Sequence, residues 1–505
     1  MLTLQNHWDL EADVVVIGYG AAGAVAAITA HDAGASVIIL EKQEAGTPLV
    51  ITSSFMSGGS VICPSDIQEA RRYMESLYRV SGDLYWTEPD VIRVWAQYTA
   101  ENKSWFESMG GQMKFIRHGG EHKLPGYESI DVYGVVGKGP GLMRVLDKQI
   151  HARGIPVKYG TAAHELLINS KGEVIGVKAA QHVHEKDEKK VINVQARRAV
   201  ILTTGGFEFD EEMKLQYLRV YPAYFTGTTA ATGDGIRMGL GVGAQLWHMN
   251  CCSARAVIKI PDIPQGMSVM LGGETRHTPG SEKAVSEGAK AGYVMVERNG
   301  KRFTNENFKS HSLFYELTYF DSQRVFYPRV PCYWVFDRKR MESGSLVTRT
   351  VGAAGAARFY RWSDDNSKEL ERGWIKQGES LKELALKLGI DPQTLETTVN
   401  KYNLCCEHGE DVEYRRPLHT LIPLKTPPFY AIELWPGGPN TQGGPRRNSK
   451  AQVLRADGTP VPRLYSAGEL GSIYGMLYPT GGGNLAECIA FGRIAGENAS
   501  ECRPF

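Results

Sequence analysis

The chain has 505 residues, of which 22% are charged and 42% hydrophobic, a balance that suits a globular protein of two or three domains, each with its own core. A formal net charge of +1 excludes electrostatic affinity for nucleic acid or an anionic membrane. No stretch approaches the ~18 uninterrupted apolar residues of a membrane span, and Met1 to Glu11 carry no basic, apolar or cleavage-site segments of a secretion signal, which predicts a cytoplasmic protein.

The first predicted element is the β-branched run Val14 to Ile17, read as a buried parallel strand and followed by Gly18-Tyr-Gly20-Ala-Ala22-Gly23. Gly18 permits a tight turn, Gly20 lets backbone approach phosphate without a Cβ in the way, and Gly23 lets the following helix lie close on the strand. The first amides of that helix can hold a pyrophosphate. A second strand, Ser36 to Leu40, delivers Glu41 about 20 residues after the loop, where a carboxylate accepts from ribose hydroxyls. Strand, glycine loop, helix, strand and acid in this order predict an adenine dinucleotide site.

Pro156 to Tyr159, Glu165 to Ile168 and Val174 to Val177 read as a short β-meander, with turns at Asn169 to Gly172 and at the polar run Glu185 to Lys190. Ala199 to Thr203 is a second buried strand, ending in Thr204-Gly205-Gly206, small residues that bring backbone close to a ligand. From about Ser268 to Pro439 the text is less regular, with an amphipathic helix over Ser380 to Gly389 and another that begins at Asp391-Pro392 and runs through Leu395 to Tyr402. This stretch predicts an inserted domain. Leu464 to Glu469 is again a strand with a small-residue turn, and Thr480-Gly-Gly-Gly-Asn484-Leu485 opens a helix that runs to Gly496. The positive end of that helix suits a ring carbonyl that gains charge on reduction, and this points to FAD held extended between two helices.

Eight cysteines show neither C-x-x-C nor C-x-x-C-H spacing, so zinc, iron–sulfur and covalent haem motifs are missing; the pairs Cys251-Cys252 and Cys405-Cys406 read as small buried hydrophobes. Arg446-Arg447 reads as a solvated turn, and Trp247-His248-Met249 as an apolar wall.

The blocks Ala12 to Gly23 with Glu41-Lys42, Ser57-Gly58-Gly59, Thr204 to Gly206, Thr232 to Gly239, Asn299 to Glu306, Thr441 to Gly444 and Leu464 to Gly496 resemble the flavoprotein family of succinate dehydrogenases, fumarate reductases, urocanate reductases and 3-ketosteroid dehydrogenases. Within that family His7 to Asp13, Gly235 to Gly239 with His248-Met249, and Tyr478 before the glycine loop are most similar to ketosteroid Δ4-(5α)-dehydrogenases. The resemblance implies an α/β (α+β overall) fold: a Rossmann-like FAD-binding domain over residues 1–267 and 439–505, with an inserted substrate-capping domain over 268–438. It implies FAD contacts at Gly18, Gly20, Ala22, Gly23, Glu41, Lys42, Ser53, Ser54, Ser57, Gly58, Gly59, Ala163, Thr204, Gly205, Asp234, Glu469, Asn484 and Leu485. Thr47 to Thr52 lacks the family's Gly-Gly before the hydroxyl pair, so the loop is rebuilt there. No histidine stands where succinate dehydrogenases attach FAD, which implies noncovalent binding.

The family's acid reductases clamp carboxylate with an arginine and a histidine, where this chain has Thr480 and Asn440. A dianion left without such partners loses on the order of several kcal/mol per charge on burial, so the expected substrate is a neutral ketone or enone. The resemblance then implies hydride exchange between the carbon β to the carbonyl and flavin N5, with proton exchange at the α carbon through a side chain. Tyr478 and Thr480 are the expected carbonyl-binding hydroxyls, and Lys309 and His311 the expected proton-exchange groups, in a segment where the ketosteroid enzymes have tyrosine. Two alternatives stand beside this reading: an enoate reductase anchored by Lys309 or Arg446, and a flavin electron-transfer subunit. No motif identifies the electron donor or acceptor.

Overall fold

The computed structural model describes residues 7–46, 49–183, 188–270, 291–307, 311–348 and 355–505, and divides into two compact units. The first comprises Met1–Leu218, Gly227–Ser253 and Asn440–Phe505; the second comprises Arg219–Thr226 and Ala254–Pro439.

The first unit is built on the strand Leu10–Ile17, whose Val14 to Ile17 are fully buried because the strand is covered on both faces. It pairs in parallel with Val37–Leu40 on one side (Val14 opposite Val37) and with Glu188–Leu202 on the other (Val14 opposite Ala199). Pro460–Ser466 extends the sheet in parallel beyond Glu188–Leu202, so a strand from near the C-terminus completes a sheet begun at the N-terminus. The expected meander is present as Thr161–Ile168 and Val174–Val183, antiparallel to one another and to the long strand Glu188–Leu202. Helix Ala21–Asp32 lies against the C-terminal helix Gly483–Glu501. The two backbones meet at glycines: a Cβ on Gly492 would sit 2.9 Å from Val25 Cβ, and one on Gly496 2.6 Å from Ala26 O. One apolar core accordingly contains Val14, Val25 and Ile39 from the first forty residues and Ile489, Phe491 and Ile494 from the last helix.

The second unit has a sheet in the order Gly266–Ser268, Cys252–Lys259, Phe429–Thr441, Cys332–Asp337, Tyr293–Val296. Residues of Cys332–Asp337 alternate between two cores: Trp334 and Phe336 pack with Tyr293 and Tyr430, and Val335 packs with Leu384, Leu395 and Tyr402. The predicted amphipathic segment is helix Leu381–Leu388, capped by the Ser380 hydroxyl and ended by Gly389 at φ +68°. The next helix, Pro392–His408, starts where Asp391 accepts from Thr394 N and runs six residues past the expected Tyr402, to Gly409.

Candidate active site

A cleft of about 790 Å³ lies in the first unit, at the ends of its parallel strands. Gly18, at φ +101°, turns the chain from strand to helix, and a Cβ there would lie 2.6 Å from Thr203 O. A Cβ on Gly23 would lie 2.0 Å from Gly18 O, so the helix can begin this close to the strand only with glycine. Helix Ala21–Asp32 opens with no side-chain cap at Gly20 and no acid in its first turn, which leaves its positive end for an anion. Glu41, buried at the end of the second strand, accepts from Tyr19 N and Gln43 N, both at 2.8 Å, one on each oxygen. Its remaining lone pairs suit ribose hydroxyls. Lys42 Nζ is tied at 2.7 Å to both Asp234 and Thr232.

Of the residues expected at FAD, Gly18, Gly20, Ala22, Glu41, Lys42, Ser53, Ser54, Ala163, Thr204, Gly205, Asp234 and Glu469 line this cleft. They come from seven separate stretches of chain. Gly23 lies behind the turn, Ser57 accepts from Gly59 N beside Gly58, and Leu485 is buried in the C-terminal helix. Asn484 exchanges two side-chain hydrogen bonds with Gln442, at 2.9 and 3.2 Å. The chain reaches Thr52, whose hydroxyl accepts from Phe55 N and caps a short helix that presents Ser53 and Ser54; Ser54 Oγ in turn accepts from Ala21 N at 3.1 Å. Thr47 and Pro48 lie outside the described residues.

A second cluster surrounds the N-terminus of helix Gly483–Glu501. Tyr478 Oη accepts from Asn484 N at 2.7 Å, capping that helix with a phenol, and its ring stands edge-on to Tyr474 at 5.3 Å. Burial pushes the Tyr478 phenol well above the ordinary tyrosine range, so it stays a neutral donor. Thr480 is fully buried two residues on, and the guanidinium of Arg117 donates to its hydroxyl. Arg117 arrives on the strand Met113–Arg117, and the chain just beyond it grips the same loop, with Glu121 N donating to Pro479 O at 2.8 Å. Composition and motif gave no signal for Arg117, because it is more than 300 residues from Thr480 in sequence.

Beneath the loop Arg447 is fully buried and paired with Glu487, which also accepts from Ser472 Oγ and Ile473 N. The expected solvated turn at Arg446-Arg447 is therefore corrected: Arg447 is a core cation and Arg446 pairs with Glu88 and Gln245. Burial pushes Glu487 up and Arg447 down, each against the pull of its partner. His248 stacks on Trp247 at 4.4 Å, buried as expected, and burial holds its imidazole below the usual range.

Tyr478 and Thr480 both lie in the first unit, in the loop before helix Gly483–Glu501. His311 is buried in the second unit, and Lys309 lies outside the described residues. The block Asn299 to Glu306 forms a buried charge network there: Arg302 is bidentate to Glu306 at 2.7 Å and reaches Asp411 at 2.9 Å, and Arg416 meets Glu306 at 3.1 Å. This network anchors the chain directly before Asn307. Among the described residues no group of His, Cys, Asp and Glu is arranged to hold a metal, and no helix is long and apolar enough to cross a membrane. None of the eight cysteines is in a disulfide, and burial pushes Cys252, Cys332 and Cys488 up, away from thiolate chemistry.

The chain is 27% identical over 501 residues to a fumarate reductase (cytochrome) of Shewanella frigidimarina, covering 97% of this chain and 77% of that protein. It is 26% identical to a 3-oxosteroid 1-dehydrogenase of Mycobacterium tuberculosis, covering 96% of this chain and 97% of the relative. The fold matches a crystal structure of the 3-ketosteroid Δ1-dehydrogenase of Sterolibacterium denitrificans with a TM-score of 0.79 at 20% identity, over 97% of this chain and 99% of that one. The FAD binding domain family matches residues 13–485, the glycine turn, the buried Glu41 and the uncapped helix suit that dinucleotide, and the chain belongs to this family of FAD-dependent oxidoreductases.

Proposed function

We propose that this protein introduces or removes a carbon–carbon double bond next to a ketone carbonyl, with 3-ketosteroids or smaller cyclic ketones as substrates and FAD held without a covalent link. The observation that carries the reading is the buried hydroxyl pair Tyr478 and Thr480 at the N-terminus of the C-terminal helix, where the acid reductases of the family are expected to keep an arginine. FAD, when bound, supplies the two-electron acceptor or donor. The chain supplies the rest. Tyr478, kept protonated by burial, donates to the carbonyl oxygen and stabilises the negative charge that develops there, while Thr480 adds a second hydroxyl polarised by Arg117. With the carbonyl so held, the α C–H proton is acidic enough to be exchanged with a side chain, for which Lys309 and His311 are the candidates. The sequence similarity to a 3-oxosteroid dehydrogenase supports the substrate class.

One observation favours a second reading. Arg117 places a guanidinium on Thr480 and could meet a carboxylate there, which suits reduction of an unsaturated acid, as the similarity to a fumarate reductase also does. Anaerobic titration separates the two. Bleaching of the bound flavin by a 3-ketosteroid or cyclohexanone supports the first; reoxidation of dithionite-reduced flavin by an enoate, with no response to ketones, overturns it. Release of all flavin by acid precipitation checks the noncovalent link.

A further inference from the structure

Glu208 is 1% exposed, and its Oε2 has no hydrogen-bond partner, although its Oε1 accepts from both Thr441 N at 2.5 Å and Thr441 Oγ1 at 2.6 Å. An unpartnered carboxylate oxygen at that depth loses its hydration without compensation unless something satisfies it. The group beside it is a second carboxyl. Glu469 accepts from Gly206 N at 3.1 Å and lines the FAD cleft, and a Cβ built on Gly206 would meet Glu208 Oε1 at 2.5 Å and Glu469 Oε1 at 2.8 Å. Two buried carboxyl groups flanking one point repel each other when both are ionised and no cation stands between them. Among the described residues neither makes an ion pair: the ionisable groups facing them are Cys252, Cys488 and Glu487, and the nearby Arg447 is engaged by Glu487.

We propose that Glu208 and Glu469 share a single proton, and that this acid pair makes FAD binding dependent on pH. The shared proton turns one carboxyl into the donor that Glu208 Oε2 otherwise lacks, and keeps the pair at one negative charge. Burial, and then the Glu208 charge, hold the Glu469 carboxyl well above the ordinary range, the direction that a retained proton requires. Loss of that proton at higher pH puts a second negative charge on the wall of a cleft that receives a pyrophosphate dianion. FAD affinity therefore falls as pH rises. Neither residue needs to touch the reacting atoms, so the pair acts on cofactor retention. The proposal rests on FAD occupying the cleft, and its test is chosen so that the two can fail separately.

The test begins with the FAD-loaded protein, whose dissociation constant is measured from released flavin fluorescence across neutral to alkaline pH. Affinity is expected to fall by up to about tenfold per pH unit, the limit for one linked proton. Glu208→Gln, whose amide is a donor that does not titrate, is expected to flatten the dependence. In parallel, the infrared spectrum of the wild-type protein at neutral pH is expected to show a protonated-carboxyl C=O band that both Glu208→Gln and Glu469→Gln remove. A wild-type affinity that stays constant over the pH range overturns the proposal, as does a spectrum without that band or a dependence unchanged in Glu208→Gln. Failure of the wild-type chain to hold FAD at any pH instead removes the FAD reading, while the infrared band still reports on the shared proton.

Discussion

At the scale of single residues, the cleft relies on polar groups whose roles can be separated. Glu41 already satisfies two backbone amides, so its loss affects both the turn and the ribose contacts. Glu41→Ala is expected to weaken FAD affinity by about 10–100-fold, the worth of hydrogen bonds to a charged acceptor, read by flavin fluorescence. Tyr478→Phe keeps the ring against Tyr474 and removes only the hydroxyl; turnover is expected to fall about 100-fold with flavin absorbance retained. Equal turnover by that variant would remove Tyr478 from the carbonyl site. Arg117→Ala discriminates between substrate readings. A neutral ketone should keep its KM within a few-fold, whereas an enoate anchored by the guanidinium should lose about 2–5 kcal/mol of binding.

At the scale of elements, the loop before the last helix is held from below by a buried ion pair and from the side by the chain following Arg117. Removing one member of a buried pair leaves the other charged and unpaired. Glu487→Gln is therefore expected to cost about 3–5 kcal/mol in urea unfolding, more than a surface substitution of the same kind. Two adjacent arginines such as Arg446-Arg447 carry no local sign of burial, so the sequence points to a solvated turn. Their partners, Glu88 and Glu487, stand far away in the chain. Helix ends, by contrast, were legible: Ser380 and Asp391 are caps, and Gly389 stands at a left-handed φ, because capping is decided within four residues. The far end of Pro392–His408 was missed by six residues, since its last turns pack no hydrophobic periodicity that a short window could read.

For the whole molecule, buried carboxyls set the sign of the stability profile above the ordinary glutamate pKa. Glu469 and Glu487 are raised in the folded chain, so between the ordinary glutamate pKa and the raised one the folded state keeps protons that the unfolded state has released. Carboxylates with lowered pKa, such as Asp13 and Asp32, are ionised in both states there and add no slope. Stability is thus expected to fall as pH rises from the ordinary glutamate pKa through the raised one, with a smaller slope in Glu469→Gln, as urea midpoints would show. FAD at a hundredfold excess over its dissociation constant should stabilise the first unit by about 2.7 kcal/mol. A melting temperature indifferent to FAD would contradict a folded, selective cleft.

The sequence by itself determined the dinucleotide site and its family, because the signals are local: a β-branched strand, glycines at fixed steps, and an acid at the end of the next strand all lie within Asp13 to Glu41. The C-terminal glycine loop was readable for the same reason, as a helix start. Folding in three dimensions is what brings Arg117 to Thr480, puts Arg447 in the core and sets Glu208 beside Glu469. Those pairs are formed by strands and loops from 40 to more than 300 residues apart, and charge and hydrogen-bond partners across such distances leave no periodicity in the text. Their energies depend on burial, which is a property of the folded packing and not of any residue type.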